Sequence, residues 1–349
     1  MNTKRVGVLG ATGMVGQRIL AMLDNHPWFT VSAVAASDNS AGKKYLEAAS
    51  WQLDQPMPAW LGDMTVSRST PDLDCDFVLS ALDANVAGEI EAAFAAAGYP
   101  VISNAKNFRM EEDVPLVIPE VNPGHINVIK RQQQKRGWRK GFIVTNPNCS
   151  TVGLVMALKP LHDLFRVSKV FVTTMQALSG AGYPGVASLD ILDNVVPFIK
   201  GEEEKIQSET LKLLGGFDGA QFQSAEMVVS AHCNRVQVRD GHLECVSVEL
   251  ENQAAPEEII AAWRHFRPAI ADKKLPSVPD PVLIYREEEN RPQPRRDRDS
   301  GAGMAVTIGR LRHDPILHYK FAVLSHNTVR GAAGAAIANA ELLAAEGLL

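Results

Sequence analysis

The chain reads as an α/β protein, an N-terminal doubly wound parallel sheet followed by a second, α+β domain. Three observations carry that reading. Short apolar runs alternate with helical stretches as far as Asn148, a glycine-rich turn joins the first run to the first helix, and beyond Cys149 the runs lengthen.

Arg5 to Leu9 is the first apolar run. Gly10-Ala11-Thr12-Gly13-Met14-Val15-Gly16 follows it and opens an amphipathic helix ending near Asn25-His26-Pro27, and Thr30 to Ala36 is the next strand. A glycine turn between strand and helix leaves N–H groups at the helix start, where a phosphate is favoured. The spacing is Gly-x-x-Gly-x-x-Gly, so the turn points to a Rossmann-type dinucleotide site on its position more than on its pattern. A tight turn that only lets helix pack on strand is the alternative. Further strands are expected at Phe77 to Ala81, Val101 to Ser103, Leu116 to Ile118 and Phe142 to Thr145, alternating with helices such as Val86 to Ala97. From Cys149 onward, Val167 to Gln176 and Arg235 to Leu250 are longer strands of a mixed sheet. Gly331 to Ala345 is a helix rich in alanine and leucine after the strand Tyr319 to Leu324.

A chain of 349 residues, 46% hydrophobic, can bury two cores. The formal charge of −5 and pI near 6.0 give no general attraction to nucleic acid, and the basic stretch Lys130 to Lys140 reads as a solvated helix end. Met1 to Arg5 leads straight into an apolar strand and no 18-residue apolar run occurs, so a cytoplasmic protein without membrane contact is expected. Cys75, Cys149, Cys233 and Cys245 are widely spaced and form no Cys-x-x-Cys pair. Neither a metal site nor a disulfide framework is indicated.

The most informative segment is Pro147-Asn148-Cys149-Ser150-Thr151-Val152-Gly153, which sets a cysteine at a helix start just after a strand. Unpaired N–H groups and the helix dipole there favour a thiolate and can hold an anionic oxygen. A small buried cysteine in a core helix fits the same heptapeptide. After the second strand, Ser37, Ser40 and Lys43 form a candidate clamp for a 2′-phosphate, with Asp38 just beyond the strand and free to point away. Asn234 to Val246 contains an Asp-Gly pair between alternating runs, which predicts a two-residue hairpin with Arg239 opposite His242. Such a hairpin puts Arg235 and His242 on one face, about 13 Å apart at ~3.3 Å per residue, able to bracket a small anion. A solvent-facing turn histidine is the plainer reading of His242.

Taken together, GATGMVG, SAGKKY, SNAKNFRMEEDVPLVIPEVN, TNPNCSTVG, QALSGAGYPGV, GEEEK, CNRVQVRDGH and LSHNTVRGAAG resemble the aspartate-semialdehyde dehydrogenases of the archaeal and fungal branch, over nearly the whole chain. The resemblance implies reversible, NADP-dependent conversion of L-4-aspartyl phosphate to L-aspartate 4-semialdehyde, on the route to lysine, threonine, methionine and isoleucine. It implies Cys149 as nucleophile, His242 as acid/base and Gln176 as the residue orienting the acyl intermediate. Arg235 would hold the substrate carboxylate, Glu202 its amino group, and Arg109 with Lys205 the phosphate. Gly10, Thr12, Gly13, Met14 and Val15 would line the pyrophosphate and adenosine, Ser37, Ser40 and Lys43 the 2′-phosphate, Gly180 the cofactor loop, and Asn327 the nicotinamide amide. Relatives often carry a basic residue where Asn39 stands, which bears on discrimination against NAD. Residues 1–148 would bind NADP, 149–326 would form a catalytic and dimerisation domain of a homodimer or homotetramer, and 327–349 would return to the first domain. A malonyl-CoA reductase of the same fold, which has no need of an amine ligand at Glu202, and a nucleotide-sensing protein without chemistry are the rival readings.

Overall fold

The structure, a computed structural model, describes residues 3–349; Met1 and Asn2, where the sequence reading begins, lie outside the described residues. The first sheet contains β1 (Lys4–Leu9), β2 (Phe29–Ala36), β3 (Ser67–Arg68), β4 (Phe77–Ser80), β5 (Pro100–Ser103) and β6 (Phe142–Thr145). They lie in the order β3-β2-β1-β4-β5-β6, and every pairing is parallel. Helices α1 (Met14–Met22), α2 (Tyr45–Ala48), α3 (Ala84–Ala96) and α4 (Ile129–Arg136) fall between these strands. The strand order reverses beside β1, the switch point at which doubly wound sheets open a crevice beyond their carboxyl ends. Strands buried on both faces explain why β4, β5 and β6 are apolar without alternation.

The expected strand at Leu116 to Ile118 is not formed. Leu116 makes only an isolated bridge to Thr145, because Asn122 folds back and takes the Ile118 N–H and the Leu116 carbonyl with its side chain. The segment is buried, which is what its apolar letters reported.

Helix α5 (Cys149–Phe165) leaves the carboxyl end of the first sheet and packs on the second. That sheet is mixed, in the order β10-β7-β11-β14-β13-β12, with β7 (Val167–Gln176), β10 (Val228–Arg235), β11 (His242–Leu250), β12 (Leu283–Arg286), β13 (Val306–His313) and β14 (Tyr319–Ser325). A small hairpin, β8 (Gly216–Phe217) with β9 (Phe222–Gln223), and helices α6 (Ser188–Ile191), α7 (Glu202–Leu214), α8 (Pro256–Arg264) and α9 (Pro294–Asp297) complete it. One face of β7 and β11 is buried under α5 through Val170, Val172, Val246 and Val248. The opposite face leaves Phe171 43% exposed and Cys245 exposed, with Val228 at the sheet edge 65% exposed.

The predicted hairpin is absent. β10 ends at Arg235, which also makes an isolated bridge to Val196, and the strand it pairs with is β7, in parallel, so β7 stands between β10 and β11. The intervening residues run across the sheet end, with Val236 N–H bonded to Gln176 O and Leu178 N–H to Val238 O. The Asp-Gly letters signal a turn correctly, since Gly241 has φ +100°, but the turn starts β11 and closes no hairpin. Alternation along β11 does hold, with His242 and Glu244 facing in and Cys245 facing out.

The chain ends in α10 (Gly334–Ala345), preceded by a wide helical turn over Val329–Ala333. Ile337, Ala340, Leu342 and Leu343 belong to the core formed by β1, α1 and β2, so the C-terminal helix packs with the first sheet. Among the described residues no helix is long and apolar enough to cross a membrane.

Candidate active site

Cys149 is the first residue of α5, and Asn148 is its cap. The Asn148 Oδ1 accepts from the N–H groups of Ser150 at 2.9 Å and Thr151 at 3.2 Å. Those are two of the groups the sequence reading left for a thiolate or an oxyanion, and the cap side chain takes them. The expectation of a favoured thiolate is corrected accordingly. Burial, with Glu202 adding to it and Arg109, Arg235 and Lys205 opposing, pushes the Cys149 thiol up to about 12.

His242, at the start of β11, lies with Nε2 3.2 Å from the Cys149 sulfur. The Ala177 N–H donates to its Nδ1 at 3.0 Å, which places the imidazole proton on Nε2, facing the sulfur. Burial and the neighbouring Arg235 guanidinium hold the ring neutral, its pKa lowered to about 3. His242 is fully buried, so the reading of a solvent-facing turn histidine is set aside.

The other residues expected around Cys149 come from the ends of separate elements. Gln176 closes β7 and donates from Nε2 to Thr174 Oγ1 and Glu202 Oε1, both at 3.3 Å. Arg235 closes β10 and donates from Nη1 to the Ala177 carbonyl at 2.7 Å. A Cβ added at Gly180 would stand 2.9 Å from Arg235 Nη1 and 3.0 Å from His242 Cε1, so only a glycine lets both groups close on that point. Gly180 therefore borders Arg235 and His242. Glu202 opens α7, accepting from Asn148 Nδ2 at 2.6 Å and from Lys205 Nζ at 2.5 Å. Burial works to raise its carboxyl, but Lys205 and Asn148 hold it below the usual range. Arg109 reaches in from the loop after β5, buried against Asn104 O at 2.7 Å and Glu209 Oε1 at 2.9 Å.

The nucleotide turn is built differently. Gly10 has φ +70° and a Cβ there would lie 2.5 Å from the Ala81 carbonyl, while one at Gly16 would lie 2.3 Å from the Gly10 carbonyl. The turn folds only with glycine at both places. Gly13 caps α1 with no side-chain bond and is exposed, with Thr12, Met14 and Val15 partly exposed beside it. Open N–H groups at the start of this helix fit a pyrophosphate. Ser37 and Lys43 are exposed and Ser40 partly so, gathered by a turn in which Ser40 N–H and Ala41 N–H both bond Ser37 O. Asp38 points out and pairs with Arg68 Nε at 3.3 Å. Arg68 closes β3 beside Ala36 and brings a cation to this edge that the sequence reading missed, since β3 is only two residues long. A cleft is lined by Met14 and Arg18 of α1 and by Leu178, Ser179 and Gly182 after β7. Asn327 stands behind it, accepting from Gly241 N–H and donating to Ser179 Oγ, each at 2.8 Å.

Glu209 and Lys212 on α7 also escaped the sequence reading. Glu202, Lys205, Glu209 and Lys212 fall at helical spacings of three, seven and ten, a signal that shows only once Glu202 is known to face the site.

Fold and site together define a two-domain, dinucleotide-dependent dehydrogenase. Residues 5–129 match the family described as "Semialdehyde dehydrogenase, NAD binding domain", and residues 158–330 match "Semialdehyde dehydrogenase, dimerisation domain". The chain is 53% identical over 345 residues to the aspartate-semialdehyde dehydrogenase of Archaeoglobus fulgidus, covering 99% of each. The crystal structure of the Candida albicans enzyme with NADP superposes with a TM-score of 0.91 at 47% identity, covering 100% of both chains. Aspartate-semialdehyde dehydrogenase II of Vibrio cholerae, complexed with ASA, gives a TM-score of 0.77 at 26% identity over 99% of each chain. The chain belongs to the aspartate-semialdehyde dehydrogenase family, and its likeness to archaeal and fungal members runs end to end.

Proposed function

We propose that the protein interconverts L-4-aspartyl phosphate and L-aspartate 4-semialdehyde with NADP(H), through a thioester on Cys149, in the biosynthesis of lysine, threonine, methionine and isoleucine. The observation that carries this is the 3.2 Å contact between the Cys149 sulfur and His242 Nε2, with the charges of Arg235 and Glu202 near enough to act on both. A guanidinium and a carboxylate close to one thiol suit the carboxylate and amine of an amino acid. Glu202 so placed favours this substrate over a CoA thioester, which brings no amine.

Cys149 attacks the acyl carbon, and as the C–S bond forms and the C–O bond to phosphate breaks its thiol proton leaves with the phosphate, while Nε2–H of His242 donates to the charge that develops on the acyl oxygen. The departing phosphate is held by Arg109 and Lys205, while Arg235 and Glu202 keep the amino-acid end fixed and Gln176 orients the acyl group. NADPH, held at Gly10, Thr12, Gly13, Met14 and Val15 with its 2′-phosphate at Ser37, Ser40 and Lys43, supplies the hydride that reduces the thioester to a thiohemiacetal. His242 is the acid/base group, its Nε2 proton shared with the oxyanion and then with sulfur as the adduct collapses. Gly180 and Asn327 complete the cofactor cleft, Asn327 near the nicotinamide amide. The domains divide at Cys149, with 327–349 joining the first, and the protein is a cytoplasmic homodimer or homotetramer. The family match to a dimerisation domain and the exposed Phe171 and Val228 support the assembly.

Aspartyl phosphate, malonyl-CoA and N-acetylglutamyl phosphate offered in turn with NADPH test the reading. Aspartyl phosphate is expected to be the preferred substrate by about 10² or more, the scale set by a buried polar site left unpaired. Comparable rates with malonyl-CoA would sink it.

A further inference from the structure

Glu209 has no place in the chemistry above, yet its carboxylate is 1% exposed and is bonded at both oxygens. Oε1 accepts from Arg109 Nη1 at 2.9 Å, and Oε2 accepts from the main-chain N–H of Asn148 at 2.6 Å. Asn148 is the cap of the helix that begins with Cys149. One turn further along α7, Lys212 donates to the carbonyls of Arg109, Glu111 and Val114 at 2.8, 2.9 and 2.9 Å. Its ammonium also lies 4.5 Å from the centre of the Phe222 ring. The Arg109 loop is thus tied to α7 by its side chain and by its backbone. Arg109 Nε is buried without a partner, so the guanidinium keeps a donor unspent.

We propose that Glu209 is a positioning residue for the phosphate half of the reaction: one buried carboxylate fixes Arg109 against the cap of the nucleophile's helix, and Lys212 secures the loop behind it. The inference rests on the acyl-phosphate reading given above. In that reaction the sulfur and the phosphate oxygen are both bonded to one carbon in the tetrahedral adduct, so the group holding the phosphate must keep a set distance from the thiol. Sequence leaves 39 residues between Arg109 and Cys149, and a carboxylate shared by Arg109 and Asn148 removes that freedom in a single contact. Sharing also tempers the charge. Arg109 is paired with Glu209 and Lys205 with Glu202, so phosphate is held by geometry and can leave, where two bare cations would trap it.

The test is steady-state kinetics of the full-length protein in the aldehyde-oxidising direction, with inorganic phosphate, semialdehyde and NADP varied in turn. Glu209→Gln keeps the length but turns one end into a donor, which meets either the Arg109 guanidinium or the Asn148 N–H. Glu209→Asp keeps the charge but is a methylene too short to span both. Both variants are expected to raise the KM for phosphate about 10-fold or more, the scale of a misplaced binding group, while the KM values for semialdehyde and NADP stay within about 2-fold. An unchanged phosphate KM, or an equal rise in all three, overturns the proposal. Failure of both variants to show a cooperative thermal transition also overturns it, by making Glu209 a residue needed for folding alone. A wild type without phosphate-dependent activity would instead refute the acyl-phosphate reading and leave no site for Glu209 to position.

Discussion

The nucleotide turn and the acyl site are built by opposite means. At the turn the work falls to backbone: Gly10 and Gly16 exist because neighbouring carbonyls leave no room for a Cβ, and α1 starts with no side-chain cap. At the acyl site backbone only delivers side chains, and these bind one another. Asn148 holds Glu202, Glu202 holds Lys205 and Gln176, and the Ala177 N–H fixes the tautomer of His242. A backbone site tolerates any side chain that points away and fails at a single added carbon. A side-chain site fails by degrees, according to which bond is lost.

The largest effect is expected where the acyl chemistry depends on one atom. Cys149→Ser should lower turnover by at least about 10³-fold, because an alcohol is a far poorer nucleophile than a thiolate. NADPH binding, read by fluorescence titration, should stay near wild type. Retention of more than a few per cent of the rate would take the nucleophile role from Cys149 and erase the contrast between the sites. His242→Asn should follow, with a kcat loss of about 10²–10⁴-fold, the range of positioned acid/base groups. An amide keeps a donor toward the sulfur but passes no proton, so alkylation of Cys149 by iodoacetamide should persist. Equal kcat and an unchanged pH profile would make His242 a bystander.

The same contrast decides what the sequence could show. The turn was legible because its residues are contiguous: strand, glycines and helix follow one another, and the parallel order β3-β2-β1-β4-β5-β6 is what such units produce. The acyl site was legible as a set of residues through family likeness, and illegible as geometry. Arg235 and His242 are seven apart in sequence, which reads as a hairpin, yet β7 lies between their strands. Parallel pairing of β10 with β7 depends on tertiary contacts that no local alternation encodes. Glu209 and Lys212 were missed because a Glu and a Lys on an exposed-looking helix carry no mark of burial. The state of Cys149 was missed for the converse reason, since the sequence announces a helix start and says nothing of the cap side chain that occupies its N–H groups.

Gly10→Ala probes the backbone side. The added methyl meets the Ala81 carbonyl at 2.5 Å in a residue with φ +70°, so both space and conformation oppose it. We expect destabilisation of about 1–3 kcal/mol, as for overpacking, and a rise in nucleotide KM of about 10-fold. The rate of Cys149 alkylation should not change, because no acyl-site bond runs through this turn. A variant that binds nucleotide normally would show that the turn relaxes and that its glycines serve packing alone.

The smallest effect is expected at Lys43, where the nucleotide region comes nearest to using side chains. Lys43 is exposed on the same edge as Ser37, Ser40 and the Arg68–Asp38 pair. An exposed cation facing a phosphate is screened, so its contribution is on the order of 1 kcal/mol, which corresponds to about a 5-fold change in affinity. Lys43→Ala should therefore weaken NADPH by roughly that factor and leave NADH untouched, narrowing the preference without abolishing it. Arg68 remains to hold part of the charge on this edge, and Lys43→Ala with Arg68→Ala should lose more than either alone. The effect should shrink with added salt, as surface electrostatics do. Equal losses for both cofactors would place Lys43 on the shared part of the nucleotide, and the 2′-phosphate would then be held at Ser37, Ser40 and Arg68 without it.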